Sequence, residues 1–179
     1  MPFIRTIPPH EATGTVAELY EQDRQSTGFV PNHTRSLSLR PEAVKAFRAL
    51  TKAIKANMDP RRFELATLAA ARALRSSYCM LSHSTFLKRM NAHDEKELTA
   101  IAKDYRSAGL SDADVAVMAF AEQLTVDACE IKQSHIDDLR AHGLSDEEIL
   151  DVGLTAALRN FYSKLLDAVG AQADPAYHE

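Results

Sequence analysis

The sequence predicts an all-α protein, a compact bundle of about eight helices, and three observations support that class. Strong helix formers (Ala, Leu, Glu, Lys, Arg) dominate the 179 residues, 45% of which are hydrophobic. No stretch of strand length alternates apolar and polar residues with β-branched enrichment. Helix start and stop signals recur instead, as prolines behind capping residues and glycines ahead of serines.

Helices are expected near residues 10–24, 41–57, 60–74, 77–91, 94–107, 112–127, 132–141 and 146–169. Between the first two, Gly28-Phe29-Val30-Pro31-Asn32 reads as a turn that ties the N-terminal helix to the body. Arg40-Pro41-Glu42 and Asp59-Pro60-Arg61 put proline where a first helical turn tolerates its missing N–H, with Asp59 as N-cap. Ala66, Ala69, Ala70, Ala71 and Ala73 let neighbouring helices approach closely, which suits the centre of a bundle. Gly109-Leu110-Ser111-Asp112 and Gly143-Leu144-Ser145-Asp146 each read as a glycine stop and a serine cap, and Ser145 with Glu148 forms a capping box. Nothing else in those two segments matches, so they are similar caps rather than a repeat. Residues 171–179 read as a tail, ordered only where something packs on it. The expectation is one domain over 1–179 with its informative motif at 60–91.

Charge and composition exclude several functions. With 21 Lys+Arg against 25 Asp+Glu, net charge -4, the chain has no basic footprint for nucleic acid. The most apolar run, Leu65 to Leu74, is about half the length that a bilayer requires, and Arg72 interrupts it. The N-terminus lacks the apolar core of a secretory signal, so a cytoplasmic setting is expected, where Cys79 and Cys129 are free thiols. There is no Gly-rich phosphate loop, and neither nucleotide nor other cofactor is expected.

The segment from Glu64 to Met90 carries the chemistry. If a helix begins at Ser76 or Ser77, Cys79 falls in its first turn, where unpaired N–H groups and the macrodipole favour a thiolate. His83 follows one turn later on the same face, placed to take the thiol proton, and Phe86, Leu87 and Met90 continue that face as an apolar stripe. Glu64 lies on the apolar face of the preceding helix and calls for a partner. Eleven residues back from the turn is roughly 16 Å of helix, which brings Glu64 within about one turn of His83 on the antiparallel return. A Glu64-His83-Cys79 relay results. Each residue also has an ordinary reading: Cys79 as core thiol, His83 as structural histidine, Ser76 as N-cap, Tyr78 as packing residue. Zinc on Cys79, His83 and Glu64 would lack a fourth protein ligand, and no metal is expected.

This segment resembles the alkylhydroperoxidase AhpD-like and carboxymuconolactone decarboxylase superfamily. Its redox members carry Glu, eleven residues, Cys-x-x-Cys, three residues and His, and here those places hold Glu64, Ser76, Cys79 and His83. The peroxidase-related branch is resembled further by Gly28 to Asn32, Leu37 to Glu42, Gly143 to Asp146 and Arg159-Asn160-Phe161-Tyr162. The resemblance implies an AhpD-like helical fold and assembly as trimers or hexamers. It also implies a peroxidase in which Cys79 attacks a small hydroperoxide while Glu64 and His83 relay protons, with Ser76 and Tyr78 as accessory residues. Ser76 stands where the family has its resolving cysteine, and a hydroxyl cannot close a disulfide. Turnover would then require an external thiol, a reductant protein or Cys129. The last is flanked by Asp127 and Glu130, which disfavour a thiolate. Two alternatives remain at this point: a non-redox decarboxylase-like enzyme using Glu64 and His83, and a helical oligomer without catalysis. His135 and His142 read as surface residues, and His10, His33, His93 and His178 carry no signal.

Overall fold

In the computed structural model, which describes residues 2–90 and 94–177, the chain is all-α, with nine α-helices and no strand among the described residues. Eight are long: α1 (Gly14–Thr27), α3 (Pro41–Lys55), α4 (Pro60–Ala73), α5 (Ser77–Arg89), α6 (Glu95–Asp104), α7 (Asp112–Asp127), α8 (Gln133–Ala141) and α9 (Asp146–Ala168). The ninth, α2 (Asn32–Ser36), is a single short turn where the sequence suggested only a loop. Three-residue 3-10 turns follow α6, α7 and the chain beyond α9.

Local chemistry accounts for the boundaries. Asp59 caps α4 by accepting from the Arg62 N–H at 2.8 Å, and Ser145 with Glu148 closes both bonds of a capping box on α9. α1 starts at Gly14 rather than near residue 10, because Pro8 to Glu11 forms a turn of its own, and it runs on to Gly28, whose φ of +86° stops it. The expected helix at 94–107 tightens to 3-10 from Tyr105 to Ser107. The end of the 77–91 prediction, together with His93 and His178, lies outside the described residues.

Helix α4 is the axis of the bundle. Every residue from Phe63 to Ala71 is buried, with Leu65, Ala66, Ala69, Ala70 and Ala71 at zero exposure, and α5, α7 and α9 pack around it. The small side chains allow that close approach. At its C-terminus, Ser76 N–H bonds to Ala71 O and Arg75 N–H to Arg72 O, both at 3.0 Å, a Schellman closure. Arg75 occupies the left-handed position of that closure, at φ +57°, where glycine is usual. This turn aims α5 back along α4. Behind α9, residues 171–177 are docked: Tyr177 and Asp174 are buried against the α5 start and the α1–α2 connection. Among the described residues no helix is long and apolar enough to cross a membrane.

Candidate active site

Cys79 is the third residue of α5, 1% exposed, at the wall of a cavity of about 360 Å³. His83, Arg159, Tyr162, His33 and Phe86 line the same cavity. Ser76 precedes α5 at the N-cap position, yet its hydroxyl does not cap the helix; it bonds to Asp167 at 3.3 Å. The α5 start is therefore without a side-chain cap, and its N–H groups remain available near the sulfur.

The relay expected across the α4–α5 hairpin is half present as hydrogen bonds. Glu64, 2% exposed on α4, places Oε2 at 2.5 Å from His83 Nδ1. Its Oε1 accepts from Lys55 Nζ at 3.2 Å. Burial pushes the Glu64 carboxyl up, but His83 and Lys55 together outweigh that and hold it below the ordinary value. Burial, seconded by the Arg159 cation, holds His83 below the ordinary imidazole value, with Glu64 pulling the other way. The coherent assignment is a neutral ring donating Nδ1–H to a carboxylate, which leaves the Nε2 lone pair free. The sulfur itself takes hydrogen bonds from other residues. Ser163 Oγ donates at 3.0 Å and Arg159 Nη1 at 3.4 Å, both from α9, and His83 makes no hydrogen bond to it.

Arg159 is 5% exposed, and among the described residues it pairs with no carboxylate. Its Nε has no hydrogen-bond partner. Two donors, one of them a cation, thus converge on the one sulfur. Sequence reasoning did not assign Arg159 or Ser163 a role, although a signal existed: Thr155, Arg159, Tyr162, Ser163 and Leu166 form one buried helical stripe, and an arginine on such a stripe requires a partner.

A second network stands behind the first. Tyr78 Oη donates to Asp174 at 2.6 Å, so it accepts both the His33 backbone N–H (3.1 Å) and His33 Nδ1–H (3.0 Å). Asp174 also takes the Asn32 N–H, at 2.9 and 3.1 Å to its two oxygens. Burial, with help from Asp174, pushes the Tyr78 hydroxyl far above its usual range. Burial and the nearby cations Arg48 and Arg159 push His33 down to about 3. His33, uninformative in the sequence, thus lines the cavity, placed there by the short helix α2. Residues 171–177, read as a tail ordered only where something packs on it, are packed here through Asp174 and Tyr177. Phe47 stacks on Tyr162 at 4.0 Å between centroids and completes the apolar wall.

Of the sequence-derived candidates, Glu64, His83, Cys79 and Tyr78 come together, whereas Ser76 faces Asp167 and does not line the cavity. Leu87 is fully buried, but Met90, the end of the expected stripe, is 43% exposed. Cys129 is exposed in the turn after α7, off the cavity wall. No cluster of three or more His, Cys, Asp and Glu in metal-binding geometry occurs among the described residues.

Comparison with known proteins gives the fold its class. The fold superposes on an uncharacterised peroxidase-related protein with an alkylhydroperoxidase AhpD core from Ralstonia eutropha JMP134, with TM-score 0.89 and 20% identity over 98% of this chain and 94% of that one. It also matches an uncharacterised peroxidase-related protein from Silicibacter sp. TM1040, with TM-score 0.84 and 20% identity over 99% and 91%. A third match is the debrominase Bmp8, solved as a Cys-to-Ala variant with 2,3,4-tribromopyrrole, with TM-score 0.79 and 20% identity over 97% and 92%. No curated protein sequence matches the chain. The fold is thus the AhpD-like helical class. Residues 41–123 match the Carboxymuconolactone decarboxylase family profile.

Proposed function

We propose that the protein is a thiol-dependent peroxidase-type oxidoreductase that reduces small hydroperoxides through Cys79 alone. The observation that carries this reading is the convergence of Arg159 Nη1 and Ser163 Oγ on Cys79 Sγ, at the wall of a cavity that also holds a neutral histidine. His83 accepts the thiol proton at Nε2 through the cavity, and Glu64 acts as the positioning residue that fixes its tautomer. The thiolate attacks the distal oxygen of ROOH. An S–O bond forms as the O–O bond breaks; sulfur loses two electrons, and the departing alkoxide recovers the proton from His83 to leave as ROH. Cys79 sulfenic acid remains, and two equivalents of an external thiol return it to the thiol with release of water and a disulfide.

The organic side of the cavity, Phe86, Phe47 and Tyr162, suits an alkyl hydroperoxide. Self-association as a trimer or hexamer belongs to the same reading; exposed Leu50, Leu154 and Phe161 on α3 and α9 offer an apolar face for it, which sedimentation velocity would test. The expected cytoplasmic setting is part of it too, and subcellular fractionation would test that.

The test is peroxide consumption with excess thiol. Cys79→Ala should lose activity entirely and Cys129→Ser should keep it. Activity surviving Cys79→Ala would refute the proposal, and turnover of 2,3,4-tribromopyrrole in place of any hydroperoxide would replace it with thiol-dependent debromination.

A further inference from the structure

The thiol cycle leaves its reductant unspecified, and the cavity constrains that reductant. A guanidinium cannot lose its proton, and a buried charge without a counter-charge costs several kcal/mol. Arg48, on the same cavity, is matched by Asp23 at 2.7 Å. Among the described residues Arg159 has no carboxylate partner: its guanidinium meets the sulfur at 3.4 Å and lies 5.9 Å from the Tyr162 ring centroid. While Cys79 is a thiolate the sulfur supplies the negative charge; once oxidised to the neutral sulfenic acid it no longer does, and Arg159 stands buried with its Nε unpartnered. The reducing step is therefore the step at which the cavity calls for an anion.

Access narrows the choice further. The sulfenic sulfur belongs to a residue 1% exposed, and an attacking sulfur must come within the S–S bond length of about 2 Å. Ser76 is tied to Asp167 and has no thiol, and Cys129 is off the cavity wall. A thiol carried on a folded protein surface does not fit that approach; a small molecule does.

We propose that the reductant is a low-molecular-weight thiol bearing a carboxylate, which enters the cavity and seats the carboxylate on Arg159; this rests on the peroxidase reading above. The reductant's thiolate attacks the sulfenic sulfur, an S–S bond forms, the S–O bond breaks, and hydroxide leaves as water after taking a proton. A second reductant thiolate attacks the first reductant's sulfur, Cys79 departs as thiolate, and the free disulfide leaves. Asp23 lines the same cavity with one oxygen unpartnered, but Arg48 offsets its charge, so the wall retains the net positive charge of Arg159.

Peroxide turnover with 3-mercaptopropionate, 2-mercaptoethanol and cysteamine, each rate expressed per thiolate, tests the proposal. The expected order is acid, neutral, amine, with about a tenfold spread that Arg159→Gln removes. Because Arg159 also touches the attacking sulfur, a second measurement avoids redox chemistry: calorimetric titration of Cys79→Ala with propionate and with propionamide. The carboxylate should bind and the amide should not. Equal rates with the three thiols, or no propionate binding to Cys79→Ala, would overturn the proposal. If no hydroperoxide is consumed with any thiol, the peroxidase reading fails, while the titration still decides whether Arg159 holds a carboxylate.

Discussion

Glu64 Oε2 lies 2.5 Å from His83 Nδ1 across the α4–α5 hairpin, with both side chains buried. The carboxylate fixes the ring in the Nδ1–H tautomer and leaves Nε2 as a base. Burial and Arg159 hold His83 below the ordinary value of about 6.5, so it is neutral at pH 7 and the acid limb of kcat/KM should lie below that value. Removing the anion in Glu64→Gln should move the limb to lower pH and slow sulfenic acid formation about tenfold. His83→Ala should slow it by about two to three orders of magnitude. A purely structural Glu64 would change stability and leave the pH profile where it was.

Two histidines kept neutral by the fold make stability depend on pH. His33 is held down to about 3 and His83 below its ordinary value, whereas both protonate near 6.5 in the unfolded chain. Between the folded and unfolded values the unfolded state binds more protons, so stability falls as pH drops below about 6.5. His33 alone corresponds to about 1 to 2 kcal/mol lost between pH 7 and 5. Glu64, held below its ordinary value, adds a further loss as pH falls through its folded value. Urea unfolding at pH 7.5, 6 and 5 reads the slope; a flat profile would show that the fold does not hold His33 neutral.

Tyr78 joins three segments through one hydroxyl: α5, His33 of α2 and Asp174 of the C-terminal segment. Tyr78→Phe leaves the two His33 donors without an acceptor and should cost about 1 to 3 kcal/mol. Amide exchange at Ala171 to Tyr177 should rise with it. Unchanged exchange there would mean that Asn32 and Tyr177 hold the segment without Tyr78.

Arg75 sits at φ +57° in the Schellman closure and its side chain is exposed. Arg75→Gly removes the strain of a left-handed non-glycine residue at the expense of unfolded-state entropy, and the expected balance is a gain of about 0.5 to 1 kcal/mol. Thermal denaturation measures it. A loss would show that the arginine side chain supports the hairpin in some further way.

The sequence revealed contacts that depend on local spacing. Glu64, Cys79 and His83 occupy one helical hairpin, and 3.6-residue geometry with a turn near 75 is enough to bring a carboxylate to the imidazole. The other partners of the sulfur come from α9, 80 and 84 residues away, where no spacing argument reaches. Only the composition of the α9 stripe marks Arg159 as unusual. His33 and Asp174 escaped for another reason: both lie in short segments whose conformation is set by their contacts with each other through Tyr78, not by their own propensities. Ser76 shows the limit of cap rules, since a part-buried bond to Asp167 takes its hydroxyl in place of the helix N–H groups.

The proposed chemistry makes Cys79 the sulfur that a hydroperoxide oxidises. Peptide mass analysis after one equivalent of cumene hydroperoxide in the presence of dimedone tests it most directly. The dimedone adduct should fall on Cys79, with none on Cys129 and none on Cys79 in the Arg159→Gln, His83→Ala double variant at the same exposure. An adduct on Cys129 alone, or an unmodified Cys79 in protein that has consumed the peroxide, would contradict it.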